Sequence, residues 1–204
     1  MITPALRPDD SDLFAAMARL GQQAKAAAPA VRNATPEQRT AALEGMAAAL
    51  EASEALILAA NAEDVAQAKS DGMEEAFIDR LALSPARLAG VVGAVREAAA
   101  LPDPVGAVIA DWTRPNGLRI QRVRTPLGVI GVIFESRPNV GADASALCVR
   151  AGNAVILRGG SDSARSTAAI VAACRQGLLA AGLPADVVQV VPTTDRAAVG
   201  MMLQ

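Results

Sequence analysis

The sequence predicts an α/β protein: a doubly wound parallel sheet preceded by a helical region and a protruding β-hairpin. Three observations predict it. From residue 128 onward, short apolar runs alternate with helical segments through short connections, the pattern of strand–helix–strand units. Residues 11–100 are rich in Ala and carry apolar side chains at helical spacing. Between these regions Asn116-Gly117 separates two strand-like runs, and both residues tolerate the positive φ that a tight hairpin needs.

Each element follows in order. Residues 1–10 read as a loose arm. Leu13, Met17, Leu20 and Ala24 mark one face of a first helix. Thr35-Pro36-Glu37-Gln38 starts a second, with Thr at the N-cap, Pro in the first turn and Gln three residues after the cap. Leu43, Met46, Ala47 and Leu50 continue it. Asn61 is expected to cap a further short helix ending near Gly72. Ser84-Pro85 starts another, with Leu88, Val91, Val92 and Val95 on its buried face.

After Leu101-Pro102-Asp103-Pro104 the character changes. Residues 105–112 and 118–124 read as the strands of the hairpin. Arg114, Arg119, Arg122 and Arg124 on it read as an exposed charged edge that blocks unwanted pairing, with contact to a partner subunit as the alternative. Residues 129–134 form a nearly continuous apolar run, as expected of a parallel strand covered on both faces. A helix over 141–151 stops at Gly152, and a strand over 154–157 follows. A long helix spans 162–181, with Gly182 past its end. A strand over 187–191 precedes a last helix from Asp195 to about residue 203. The expected divisions are residues 1–101, the helical part; 102–126, the hairpin and a possible oligomerisation element; and 127–204, the nucleotide-binding part.

Composition excludes several functions. Net charge is −2 and charged residues are 20% of the 204, whereas binding a phosphate backbone needs a basic surface. Aromatic residues make up 2%, too few for base-stacking platforms. There is no His, so Ser-His-Asp and Cys-His pairs are excluded within this chain, as is the commonest zinc ligand. Cys148 and Cys174 lack metal-ligand spacing and read as buried, reduced thiols, and no metal is expected. No signal peptide is expected from residues 1–8, which lack a charged stretch followed by an apolar one, and the longest apolar run, residues 128–134, is too short to span a bilayer. The expected location is the cytoplasm, away from nucleic acid and membrane.

Two segments carry candidate chemistry. Arg158-Gly159-Gly160-Ser161-Asp162-Ser163 follows a strand and opens a helix. Glycines let a ligand approach the backbone, the helix N-terminus favours an anion, and Ser161 and Ser163 add hydroxyl donors. Arg158 and Arg165 bring charge suited to phosphate, while Asp162 opposes it and would instead cap the helix or accept from a ribose hydroxyl. A plain Gly turn with N-caps is an equal reading, because neither the dinucleotide fingerprint nor the P-loop pattern is present. The second segment, Glu135-Ser136-Arg137-Pro138-Asn139, lies beyond the carboxyl end of an apolar strand, where open α/β sheets bind ligands. From the residues alone, Asn139 reads as the cap of the next helix, with donation to an oxyanion as the alternative.

Residues 123–133, Val-Arg-Thr-Pro-Leu-Gly-Val-Ile-Gly-Val-Ile, running through Glu135-Ser136-Arg137-Pro138-Asn139, resemble the signature of the γ-glutamyl phosphate reductases. These are also called glutamate-5-semialdehyde dehydrogenases, of the aldehyde dehydrogenase superfamily. Gly152-Asn153-Ala154-Val155-Ile156-Leu157-Arg158-Gly159-Gly160, Asn61-Ala62-Glu63-Asp64-Val65, Asp79-Arg80-Leu81 and Asp103-Pro104-Val105-Gly106 are similar to further blocks, so the resemblance covers about residues 12–204. It implies an aldehyde-dehydrogenase-like fold with a Rossmann-type sheet. The implied reaction is NADPH-dependent reduction of L-glutamyl 5-phosphate to the semialdehyde, with phosphate released, in proline biosynthesis.

By the same resemblance a cysteine thiolate attacks the acyl phosphate, and Asn139 helps form the oxyanion hole. Arg158 lies by the adenosine ribose and Ser161 senses the 2′-substituent, favouring NADP(H). Gly159, Gly160, Ser163, Glu135 and Ser136 complete the implied cofactor site, Arg137 is a candidate for the substrate, and a homo-oligomer is implied. Relatives often carry Lys-Glu where this chain has Ser161-Asp162. The family's nucleophile lies downstream in a second domain, and neither Cys148 nor Cys174 sits in its motif. The chain therefore reads as the N-terminal half, cut before the catalytic domain and inactive alone. The alternatives are a non-catalytic nucleotide-binding or oligomerisation module, and an aldehyde-dehydrogenase-type enzyme with another acyl substrate. Arg-Pro-Asn disfavours the last, since ordinary aldehyde dehydrogenases usually carry an aromatic residue before that Asn.

Overall fold

The computed structural model describes residues 10–203, so the arm read over residues 1–10 lies, apart from Asp10, outside the described residues. Five helices come first: α1 (Asp10–Asn33), α2 (Pro36–Ala52), α3 (Glu54–Ser70), α4 (Glu75–Leu81) and α5 (Pro85–Ala100). The Thr35 and Ser84 side chains cap α2 and α5, accepting from the backbone N–H groups of Gln38 and Arg87, and each cap is followed by Pro. These are the starts that the sequence predicts. Asn61 departs from expectation. It sits mid-way along α3 and caps nothing; its buried amide instead ties three segments together, as described below.

A separate antiparallel hairpin follows, β1 (Val108–Thr113) with β2 (Arg119–Val123). Gly117 takes φ +85° in its turn. The first strand starts later than the sequence predicts, because Gly106 turns at φ +81° and the register shifts between Val108 and Ala110. The hairpin stands away from the core with Val108, Ile109, Trp112 and Leu118 exposed. Arg119 on it pairs with Asp111, and Gln121 donates a further hydrogen bond to that carboxylate.

The remaining elements are β3 (Val129–Ile133), α6 (Val140–Arg150), β4 (Ala154–Arg158), α7 (Ala164–Ala180), β5 (Val188–Val190) and α8 (Ala197–Met202). The three strands are parallel in the order β3-β4-β5. Central strand β4 is buried throughout. Val155 and Leu157 join the main core with residues of α2, α5, α6 and α7. Ile156, pointing the other way as strand alternation requires, packs in a second cluster with Met17, Leu20 and Ala24 of α1 and Ala198 of α8. Helices thus cover both faces of β4, as in a doubly wound sheet. Among the described strands the order never reverses.

Expectation fails for β3. Its apolar run reads as covered on both faces, but Val129, Gly131 and Ile133 are exposed while Ile130 and Val132 pack on the core. The strand is an edge here, paired only with β4 among the described residues. A periodicity of two is invisible when both sets of alternating residues are apolar or Gly.

Candidate active site

The loop from β3 to α6 lies at the carboxyl ends of the parallel strands, where sheet geometry leaves a crevice. Its midpoint, Ser136, has φ +51°, unusual for a residue other than Gly. That turn sends neighbouring residues to opposite sides. Glu135 and Ser136 line a pocket of about 190 Å³ with Arg158, Gly160, Ser161 and Asp162. Arg137 and Asn139 line a different cleft of about 450 Å³ with Asp79, Arg80, Arg87 and Asp143. A third hollow of about 420 Å³ continues over Gly159, Gly160, Thr167 and the segment from Val190 to Thr194.

The smaller pocket gathers Arg158 with four other residues expected at the cofactor, Glu135, Ser136, Gly160 and Ser161, together with Asp162, the opposing carboxylate. The Ser136 hydroxyl donates to the Asp162 carboxylate, which draws the two loops together. Arg158 is buried, and one Nη donates to the Thr194 carbonyl at 3.0 Å while its Nε is buried without a partner. Gly159 and Gly160 matter for space rather than for a positive φ. Gly160 has φ −62°, and a Cβ there would lie 2.2 Å from Asp162 Oδ1. A Cβ on Gly159 would lie 3.1 Å from Thr167 Oγ1, with the Phe134 ring next at 3.4 Å.

Three expectations at this loop are corrected. The long helix does not begin at Asp162; residues Ser161–Ser163 form a 3-10 turn and α7 starts at Ala164. Ser163 is fully buried with its hydroxyl directed at the Gly160 carbonyl, so it offers no donor to a ligand. Nor is Arg165 a phosphate ligand, because it pairs with Glu63 and Asp64.

Asp64 also fills the helix N-terminus that was expected to attract an anion. Its Oδ2 accepts from the backbone N–H of Ser166 at 2.8 Å and from the Ser166 hydroxyl at 2.6 Å. The protein's own carboxylate therefore satisfies the end of α7. Asn61, one turn earlier on α3, donates to the Leu81 carbonyl and to Ser166 Oγ and accepts from the Leu83 N–H. The Asn61-Ala62-Glu63-Asp64 block is thus a clamp that fixes the start of α7 against α3 and the chain after α4.

At the larger cleft, Asn139 precedes the first residue of α6 but makes no side-chain cap. Its Nδ2 donates to Asp143 Oδ2 at 3.0 Å. An amide nitrogen carries two hydrogens, so this bond orients Asn139 and leaves one donor for a ligand. Asp143 has its other oxygen, Oδ1, buried without a partner. Burial raises its pKa, partly offset by the Asn139 hydrogen bond. Arg87 is occupied by Asp79 and by the carbonyls of Asp79 and Ala82. Arg80 lies 5.4 Å from the Phe77 ring centre. The Arg137 side chain is exposed and makes no hydrogen bond or ion pair among the described residues. Sequence reading passes over Asp143, although its position one helical turn after Asn139 places both on one face.

Neither cysteine is suited to nucleophilic attack. Burial pushes the Cys148 thiol up to about 11 and the Cys174 thiol up to about 12, whereas reactive cysteines have lowered values. Among the described residues no cluster of His, Cys, Asp and Glu could hold a metal ion, and no helix is long and apolar enough to cross a membrane.

The helix-covered parallel sheet is shared with a known class. Residues 14–204 match the aldehyde dehydrogenase family, and the chain belongs to it. Within that family it is similar to the γ-glutamyl phosphate reductase of Brucella anthropi, 60% identical over 194 residues that cover 95% of this chain and 45% of that protein. The crystal structure of γ-glutamyl phosphate reductase from Thermotoga maritima superposes with a TM-score of 0.90 at 39% identity, covering 92% of this chain and 45% of that one. The Saccharomyces cerevisiae enzyme of the same name gives a TM-score of 0.81 at 30% identity, covering 88% and 46%. The chain spans about half the length of these relatives and corresponds to their N-terminal portion.

Proposed function

We propose that this chain forms the cofactor-binding portion of an NADPH-dependent reductase that converts L-glutamyl 5-phosphate to L-glutamate 5-semialdehyde with release of phosphate. The observation that carries the reading is the loop from Glu135 to Asn139. One side of it faces a small pocket with Arg158 and Ser161, and the other faces a charged cleft holding an amide donor. A hydride carrier and an acyl substrate need that arrangement: two sites separated by one strand end.

The pocket's residues fit a phosphorylated ribose. Arg158 has a buried Nε without a partner, Arg196 adds a second guanidinium, and the glycines leave the approach to the backbone open. The carboxylates of Glu135 and Asp162 suit ribose hydroxyls, which donate to them. NADPH supplies the hydride when bound. Arg158, Ser161, Glu135 and Ser136, together with Gly159 and Gly160, would hold and orient it. Asn139, held by Asp143, offers its second amide hydrogen to the oxygen that gains negative charge at the reacting carbonyl, a contribution typically of about 10²–10³ in rate. Arg137 assists the substrate. A homo-oligomer through the exposed hairpin and a cytoplasmic location complete the reading.

A second reading, a nucleotide-binding module without chemistry of its own, describes the 204 residues taken alone. Both thiols are buried and held protonated, so no nucleophile faces either cleft. The two readings meet in one expectation: the 204-residue chain binds NADPH but shows no turnover with the semialdehyde, NADP and phosphate. Calorimetric titration checks the cofactor site, with Arg158→Ala and the milder Ser161→Ala both weakening NADPH by tenfold or more relative to NADH. Equal affinity in folded variants removes these residues from the site. Measurable turnover by the chain refutes the placing of the nucleophile outside it.

A further inference from the structure

Two guanidiniums, Arg158 and Arg196, line the smaller pocket together with the Asp162 carboxylate. Opposite charges sharing so small a hollow attract one another. Yet among the described residues none of the three forms an ion pair. The carboxylate is engaged elsewhere. Its Oδ2 accepts from the Ser136 hydroxyl, and its Oδ1 lies over Gly160, 2.2 Å from where a Cβ on that residue would stand. Arg158 is 6% exposed, gives one Nη to the Thr194 carbonyl and has its Nε buried without a partner. Its positive charge therefore stays unneutralised in the pocket wall. Ser136 reaches Asp162 from a backbone at φ +51°, a conformation that costs a serine free energy and a glycine none.

We propose that Ser136 is a positioning residue whose hydroxyl latches the Asp162 carboxylate away from Arg158 and Arg196, which keeps both cations available to a phosphate group. The proposal rests on the reading of this pocket as the site of a 2′-phosphorylated ribose, and it has Ser136 act on the cofactor through Asp162. Released from Ser136, the carboxylate becomes a competitor. It is tethered beside the guanidiniums, so its effective concentration there exceeds that of any free ligand. Paired with them it would cancel the charge that draws a phosphate, and unpaired it would repel one. Latched by Oδ2, it keeps Oδ1 to accept from a ribose hydroxyl, a group that NADPH and NADH share. Loss of the latch therefore falls on the 2′-phosphate, the group in which the two cofactors differ.

The test removes the hydroxyl with Ser136→Gly, which accepts the positive φ and leaves the turn unstrained. Calorimetric titration with NADPH and with NADH compares the native protein, Ser136→Gly, Asp162→Ala and the double variant. Ser136→Gly is expected to lower the ratio of NADPH to NADH affinity roughly tenfold, the worth of one hydrogen bond to a charged group. Asp162→Ala alone should hold or raise that ratio, and in the double variant it should restore the ratio to the native value or above. A residue that only shapes the loop cannot give this restoration, because two structural losses add. A native preference for NADPH that Ser136→Gly leaves unchanged, that Asp162→Ala lowers or that the double variant fails to restore overturns the latch and leaves the cofactor reading standing. A native protein without that preference overturns the 2′-phosphate reading instead, and inorganic phosphate then decides the latch. Phosphate binding seen by phosphorus NMR in the native protein, weakened in Ser136→Gly and regained in the double variant, sustains it. Any other pattern, including no phosphate binding by the native protein, overturns it.

Discussion

Gly45 of α2 and Gly177 of α7 meet backbone to backbone where the two helices cross. A Cβ built on Gly45 would lie 2.8 Å from the Gly177 carbonyl oxygen, and one on Gly177 would lie 2.2 Å from the Met46 backbone nitrogen. Neither position has a positive φ, so the requirement is for proximity. The crossing matters to the site because α7 also carries Thr167 beneath the Gly159-Gly160 loop.

Gly177→Ala is therefore expected to force the helices apart. The obstructing atoms are backbone and cannot rotate away, so the loss should reach or exceed the top of the roughly 1–3 kcal/mol seen for over-packing. For a chain of this size that lowers Tm by about 6–12 °C. Gly93 in α5 is the matched control, since a Cβ there meets nothing within 4 Å. Gly93→Ala should gain about 0.5–1 kcal/mol from helix propensity alone. Thermal melting of both variants checks the pair, and equal responses would contradict the close crossing.

Arg39 supports a second prediction. It is 2% exposed and sends Nε and Nη2 to Asp103 Oδ2 at 3.0 and 2.6 Å, while Nη1 serves the carbonyls of Val31 and Ala34. Asp103 Oδ1 in turn accepts from the Val105 N–H. One guanidinium thus joins the end of α1, the start of α2 and the approach to the hairpin. Removing one partner of a buried pair strands the other, at about 3–5 kcal/mol. Asp103→Ala and Arg39→Met should each show that loss in urea denaturation. The double variant should lose less than the sum, because the stranded charge is gone in it. Strict additivity would mean that the two side chains do not interact.

The Arg39 pair also illustrates what was legible in the sequence. Asp103-Pro104-Val105-Gly106 stands out as a family block, but nothing in its spacing names Arg39, which is 64 residues away. Caps at Thr35 and Ser84 were readable because they are local chemistry. So was the strand–helix alternation after residue 128. Elements set by distant packing were not. Asn61 is a good cap residue by type, but its tertiary partners Ser166 and Leu81 place it in mid-helix. The anion-friendly end of α7 was visible, and the Asp64 carboxylate that fills it was not, for the same reason. At the candidate site, the Gly-Gly loop and Asn139 were named from sequence, whereas Asp143 was missed because its unmet oxygen is a property of burial. Gly45 and Gly177 gave no signal at all, being helix-interior glycines without a turn around them.

The two cysteines supply the last prediction, through pH. In an unfolded chain each thiol titrates near its ordinary value of 9.0, but burial holds Cys148 at about 11 and Cys174 at about 12 in the folded protein. Below pH 9 both states keep the protons and the thiols leave stability unchanged. Above it the unfolded state releases protons that the folded state retains, so unfolding becomes more favourable as pH rises. Each thiol can then remove up to about 1.4 kcal/mol per pH unit until its folded value is reached. Stability measured by urea denaturation should fall steeply between pH 9 and 11, and the fall should be shallower in the Cys148→Ala, Cys174→Ala double variant. The same burial predicts that a thiol reagent at pH 8 labels neither residue in the native protein and both after unfolding. Rapid native labelling of Cys148 or Cys174 would show an accessible thiol and would reopen the question of a nucleophile within this chain.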